Sequence, residues 1–211
     1  DLDTFIITSA AEKSTTGACE KGKIVVYFFG MSYRKGGRPA GRRRASMSDL
    51  REVLQENSYL RQKQLIFADC DRYQRARVST LLSIAAAVAG ADYDARGLTY
   101  EKLYEMREVF LLSRIALRIH RCPRALQVVD VTTWEDGVKA AHMQRVYEIT
   151  DREGLLVSIR SDWILVDPQT RRIMRPGTFT AKKLGTCPKA IDAPEPRKIP
   201  VSYTHLTLPT N

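Results

Sequence analysis

The chain has 211 residues, of which 44% are hydrophobic and 27% charged, with a formal net charge of +10. That length allows one domain with a sizeable core and tails, or two small ones. No apolar run is long enough to span a bilayer, and Cys19, Cys70, Cys122 and Cys187 are too widely spaced for a C-x-x-C pair, so they read as reduced thiols of a cytosolic protein.

The opening DLDTFIITSAAEKS lacks a basic segment leading into an apolar core, so it does not read as a signal peptide. Lys23 to Gly30 contains the β-prone run IVVYFF, which finds no partner in this reading. Arg34, Lys35, Arg38, Arg42, Arg43 and Arg44 then lie among glycines, with no acidic residue from Met31 to Ser46. Such a run can attract nucleic acid or an acidic partner. A nucleic-acid surface would also interleave aromatics with the basic residues, and only Tyr33 qualifies. We read residues 1–46 as disordered or as translated upstream DNA, with Met47 a plausible start, and expect no nucleic-acid partner.

Tyr59 to Ala68 reads as a strand. Val78, Leu81, Leu82, Ala85, Val88 and Ala89 recur at helical spacing and predict one helix with a broad apolar stripe, closed near Gly97. Four strands follow. In the first, Ile115, Leu117 and Ile119 alternate with Arg114, Ala116, Arg118 and His120. In the second, Val129, Val131 and Thr133 alternate with Asp130, Thr132 and Trp134. Asp136-Gly137 is a hairpin dipeptide, because both residues tolerate positive φ. Met143 to Thr150 is the third strand, turned by Asp151 to Gly154. Val157, Ile159, Ser161, Trp163 and Leu165 form one face of the fourth, which Asp167-Pro168 ends. Strands joined this tightly imply an antiparallel meander.

A strand, a buried helix and then a long antiparallel sheet is the order of an α+β hotdog fold, in which the sheet wraps a long central helix. The stripe must face the sheet, because only there can it leave water. We place this domain at residues 47–177. From Thr178 to Pro200, Gly185, Pro188, Pro194, Pro196 and Pro200 interrupt every periodicity, and Lys182, Lys183, Lys189, Arg197 and Lys198 keep the segment solvated, as in an interdomain linker. Residues 201–211 resemble a translated sequencing-adapter frame, so His205 is left out of the fold and of the chemistry.

From about Tyr59 to Pro176 the chain resembles the acyl-acyl-carrier-protein (acyl-ACP) thioesterases. The motifs are Asp71-Arg72-Tyr73-Gln74-Arg75 with Val78 to Leu82, Val109 to Arg114, Thr132-Thr133-Trp134, and Trp163 to Pro168 followed by Thr170-Arg171-Arg172. Each is weak alone; in order and with matching gaps the set is specific. The resemblance implies a cytoplasmic thioester hydrolase of fatty acid biosynthesis that acts on fatty acyl-ACP and needs no cofactor or metal. It also implies two hotdog repeats, the first holding the acyl chain and the second carrying the catalytic Asn, His and acidic residues. This chain reads as the first repeat, with the second missing, so its partners are acyl carrier protein and either that second repeat or another copy of itself.

Single-repeat hotdog thioesterases carry an Asp-x-x-Gly-His-Val-Asn type sequence before the helix. Here Arg75 stands where the His belongs and Arg77 near the place of the Asn. Asp71 remains, but a lone aspartate before a helix is more often a cap or turn former. No catalytic residue is therefore expected in this chain. His120 and His142 fall on polar registers and are expected to be exposed, with no companion at metal-ligand spacing. The cysteines have no histidine placed to activate them.

Candidate acyl-binding residues are Leu82, Ala85, Ala86 and Ala89 on the helix, where small side chains leave room for a tunnel, and Trp134 on the sheet. Close helix–sheet packing explains the alanines equally well, and Trp134 could instead face a partner. Arg114 and Arg118 share a polar face that could steer acidic carrier protein; simple solvation is the plainer account. The competing functional reading is a non-catalytic hotdog module that binds or responds to acyl chains.

Overall fold

A computed structural model describes residues 50–179, 181, 189 and 191–197, together with the backbone of 4–8. The chain divides into two units, Ala11–Asp49 and the remainder, and all described residues belong to the second. The IVVYFF and Arg-rich runs, Met47, Cys19, Cys187 and the 201–211 tail lie outside the described residues.

The elements run β1 (Thr4–Thr8), β2 (Glu52–Leu54), β3 (Ser58–Gln64), α1 (Val78–Ala95), α2 (Tyr100–Glu105), β4 (Val109–Ile119), β5 (Val128–Lys139), β6 (His142–Asp151), β7 (Gly154–Val166) and β8 (Ile173–Met174). The strands form one antiparallel sheet in the order β1-β4-β7-β6-β5-β3-β2, with β8 also paired to β7. This is the α+β hotdog arrangement, a large antiparallel sheet around one main helix.

α1 is helical because its apolar residues recur at helical spacing on one side and alanines fill its middle turns. Leu81, Ile84, Ala85, Val88 and Ala89 are buried against Val129 and Val131 of β5, Tyr147 and Ile149 of β6, and Val157 and Ile159 of β7. Fully burying a side chain such as Leu81 is worth about 1.5–3 kcal/mol. The helix stops where Gly97 turns to φ +74° and its N–H bonds the Asp94 carbonyl at 2.9 Å. Thr99 Oγ1 then accepts from the Lys102 N–H and starts α2. A second cluster, Leu98, Leu103, Met143, Leu165 and Phe179, closes that end of the domain.

Four expectations need correction. The strands from Val109 to Val166 are not a simple meander: β5, β6 and β7 are, but β4 pairs with β7, so the first and last strands of the run are neighbours. Asp136-Gly137 is not the hairpin turn. Gly137, at φ +92°, sits in a register shift between Glu135 and Val138, and the chain reverses at Ala140-Ala141, with Ala140 at φ +56°. The strand expected over Tyr59–Ala68 ends at Gln64, and Phe67–Asp69 forms a 3-10 turn. Thr4–Thr8, which the sequence reading leaves out of the fold, forms β1 on the β4 edge.

Candidate functional site

The loop before α1 is built around Asp71. Its Oδ1 accepts the Tyr73 and Arg75 amides at 2.8 and 2.9 Å, and its Oδ2 lies 3.1 Å from the Arg75 guanidinium. The Arg75 amide, helped by the Tyr73 amide and the Arg75 side chain, holds the Asp71 carboxyl below the usual carboxylate range, against the opposing effect of desolvation. Asp71 is therefore a turn former. It does not cap α1, whose N-cap is Arg77 with no side-chain cap. Arg77 instead donates to the Ala68 carbonyl.

A proton acceptor for hydrolysis needs a free lone pair facing substrate, and both oxygens of Asp71 are already engaged. Arg75 and Arg77 occupy the positions where the single-repeat pattern has its His and Asn. Cys70 and Cys122 flank this loop, and burial pushes both thiols up, away from the thiolate.

The helix residues divide by depth. Ala85 and Ala89 are buried in the main core, while Leu82 is partly buried and packs against it. Ala86 is half-buried at the margin of the stripe. Trp134 does not share this wall. It falls on the opposite register from Val131 and Thr133, so it lies on the sheet face away from the helix. It is buried there, with the Lys189 ammonium 5.8 Å from its ring.

That outer face is covered by the segment read as a solvated linker. Lys189 pairs with Glu148 on β6, Asp192 with Arg118 on β4, and Glu195 with Arg160 on β7 and Lys139 on β5. Pro196 is buried. Arg114 faces Asp162 at 3.8 Å. Arg114 and Arg118 are thus paired within the chain and are not the open basic face that the sequence suggested. His120 and His142 are half-buried, not exposed: His120 Nε2 lies 3.0 Å from Ser158 Oγ and His142 Nε2 3.3 Å from Ser113 Oγ. Ser158 is fully buried and also donates to the Asp192 carbonyl, so substrate cannot reach it.

Sequence reasoning missed a buried ionic group where the C-terminal half of α1 meets the sheet. Arg145 on β6 contacts Asp92 at 2.9 Å, Thr133 at 3.3 Å and Glu135 at 3.3 Å. Its guanidinium stacks 5.1 Å from the Tyr93 ring, and the Tyr93 hydroxyl donates to Glu135 at 2.8 Å. Arg96 holds the other Asp92 oxygen at 2.7 Å. Burial pushes the Tyr93 hydroxyl up. Burial would lower Arg145, but the surrounding tyrosines and carboxylates outweigh it. The signal was present: Asp92 continues the helix stripe from Ala85 and Val88, and Thr133, Glu135 and Arg145 fall on the helix-facing register. The group fixes the helix on the sheet.

Among the described residues no group of three or more His, Cys, Asp or Glu side chains could hold a metal ion, and no helix is long and apolar enough to cross a membrane.

Residues 56–177 match the acyl-ACP thioesterase N-terminal domain family. Among solved structures, a Lactobacillus plantarum protein described as an oleoyl thioesterase is 27% identical with a TM-score of 0.57, over 70% of this chain and 59% of its own. An acyl-ACP thioesterase from Bacteroides thetaiotaomicron is 21% identical with a TM-score of 0.60, over 69% and 59%. The 12:0-ACP thioesterase from Umbellularia californica is 15% identical with a TM-score of 0.53, over 66% and 63%. The last two are likenesses of fold. The chain spans about three fifths of the length of each of these proteins. A comparison with curated proteins gives no match.

Proposed function

The chain belongs to the acyl-ACP thioesterase family, as its N-terminal domain, and from that premise we propose that it is the acyl-holding half of a thioester hydrolase. The substrate is a fatty acyl chain carried on acyl carrier protein, and the product is the free fatty acid of fatty acid biosynthesis. Hydrolysis needs a nucleophile, a base to activate it and donors for the developing oxyanion. We assign those to a second repeat, and the helix–sheet interior of this one to the acyl tail.

The observation that carries the division is the loop before α1. Its carboxylate is spent on two backbone amides and Arg75, so this loop shapes the chain and activates no water. Ala85 and Ala89 sit deep and Leu82 and Ala86 nearer the margin, so a tail entering beside the helix passes one leucine and then small side chains. Each methylene withdrawn from water is worth about 0.8 kcal/mol, so depth along the helix sets chain-length preference. Trp134 is not assigned to this path, because it lies on the other sheet face.

The test is binding of a fluorescent fatty acid series to the chain and to Ala86→Phe. The reading expects saturable binding that shifts toward shorter chains in the variant. A folded variant with unchanged preference would refute the tunnel.

A further inference from the structure

We propose that Arg72, Arg75 and Arg124, with the ring of Tyr73, form a cradle for a phosphodiester, that of the prosthetic arm on which acyl carrier protein presents its thioester. The proposal rests on the function proposed above for the partner's identity, and on the geometry of the loop for the site. Arg75 and Arg124 are distant in sequence but meet in an antiparallel bridge, supported by the Ala125 amide on the Gln74 carbonyl at 3.0 Å. They line an open pocket of about 370 Å³ together with Tyr73, a volume within the ordinary range for a ligand group.

The loop is held in one shape before any ligand arrives. Asp71 fixes the Tyr73 and Arg75 amides, and Gln74 takes φ +61°, a conformation uncommon for a side-chain-bearing residue. The Arg72 and Arg75 guanidinium carbons lie 4.7 and 5.1 Å from the Tyr73 ring centre, and Tyr73 is 56% exposed. The ring thus holds two cations side by side at the surface. Asp71 neutralises one of the three arginines. Arg72 and Arg124 have no acidic partner among the described residues, and both are exposed. Arg75 and Arg124 line the opening, and Arg72 lies beside it on the Tyr73 ring, where it donates to the Tyr73 hydroxyl at 2.6 Å; planar guanidinium groups so placed suit a tetrahedral oxyanion, which accepts several charge-assisted hydrogen bonds at once. Phe67 and Leu126, 60% and 57% exposed, flank the loop in the chain path and offer apolar contact to a protein bearing that phosphate.

The test is a ladder of three ligands titrated against the full chain: carrier protein without its arm, carrier protein with the arm, and carrier protein with an oleoyl arm. The chain's net charge of +10 attracts any acidic protein, and the armless form controls for that. We expect the step from armless to armed carrier to gain about tenfold in affinity. Arg72→Gln with Arg124→Gln should abolish that gain, leave binding of the armless form within about twofold, and keep the melting curve. Equal affinity for armless and armed carrier, or a gain that survives both substitutions, overturns the cradle. The further step from armed to oleoyl carrier reports the acyl-holding reading separately, so either can fail without the other.

Discussion

Replacing Arg145 with methionine keeps most of its length and removes its charge from a site where it is 4% exposed. Four ionic groups meet there, Arg145 and Arg96 against Asp92 and Glu135, and they balance. Without Arg145 these four groups lose one positive charge and both of its ion pairs. Asp92 keeps Arg96 at 2.7 Å, and Glu135 loses its ion pair with Arg145 while keeping the Tyr93 hydroxyl. Breaking a buried pair from one side costs about 3–5 kcal/mol, since the remaining ion stays desolvated. For a chain of this size that corresponds to a fall in melting temperature of roughly 6–20 °C. Adding Glu135→Gln restores neutrality and keeps an acceptor for Tyr93, so the double variant should recover a substantial part of the loss. Urea denaturation of wild type, Arg145→Met, Glu135→Gln and the double variant closes the cycle. A single Arg145→Met variant within about 1 kcal/mol of wild type, or a double variant no better than the single, would refute the claim that this group fixes the helix.

Ala85→Phe should destabilise by about 1–3 kcal/mol through overpacking, whereas Ala86→Phe should cost less than about 1 kcal/mol, because only Ala85 is fully enclosed; comparing their denaturation midpoints decides it. Burial raises the Glu108 carboxyl, and its Oε2 has no hydrogen-bond partner among the described residues. A raised acid favours the folded state most when protonated, so this contribution falls as pH climbs through the folded pKa. Glu108→Gln should therefore be more stable than wild type at pH 7, with the difference vanishing in acid. Asp71 has the opposite sign. Its pKa is depressed chiefly by the Arg75 amide, so its stabilisation is present above the ordinary carboxylate range and disappears as pH falls below it; an Asp71→Asn difference that persists under strong acid would contradict this. Arg118→Ala with Arg160→Ala should release residues 189–197 and speed tryptic cleavage there while the core stays intact, which mass spectrometry of the fragments reads directly.

The helix was legible because its stripe and its closing glycine are local signals, and the sheet strands because their apolar residues alternate. Pairing was less so. Nothing within Val109–Ile119 says whether it joins β5 or β7, since adjacency in sequence favours one and the closed wrap around α1 requires the other. Asp136-Gly137 carries the right residues for a turn, but a bulge uses the same positive φ. At the site, Asp71 was readable as a turn former from its neighbours. The meeting of Arg75 with Arg124 was not, because it depends on how a loop after β4 folds back. Trp134 shows the limit of residue type: a large aromatic suggests an acyl wall, and only the register puts it on the far face under Lys189. The ion pairs of Arg118 and Arg160 were hidden for a similar reason. A proline-rich basic segment reads as free linker until the sheet face beneath it is known.

The claim that matters most is that this chain holds an acyl group and leaves hydrolysis to residues outside it. It is tested by incubating the purified chain with oleoyl-acyl carrier protein and following thiol release alongside binding. The account predicts saturable binding with release no faster than in buffer. Catalytic release of thiol by the chain alone would contradict it, most sharply if Asp71→Asn abolished that release.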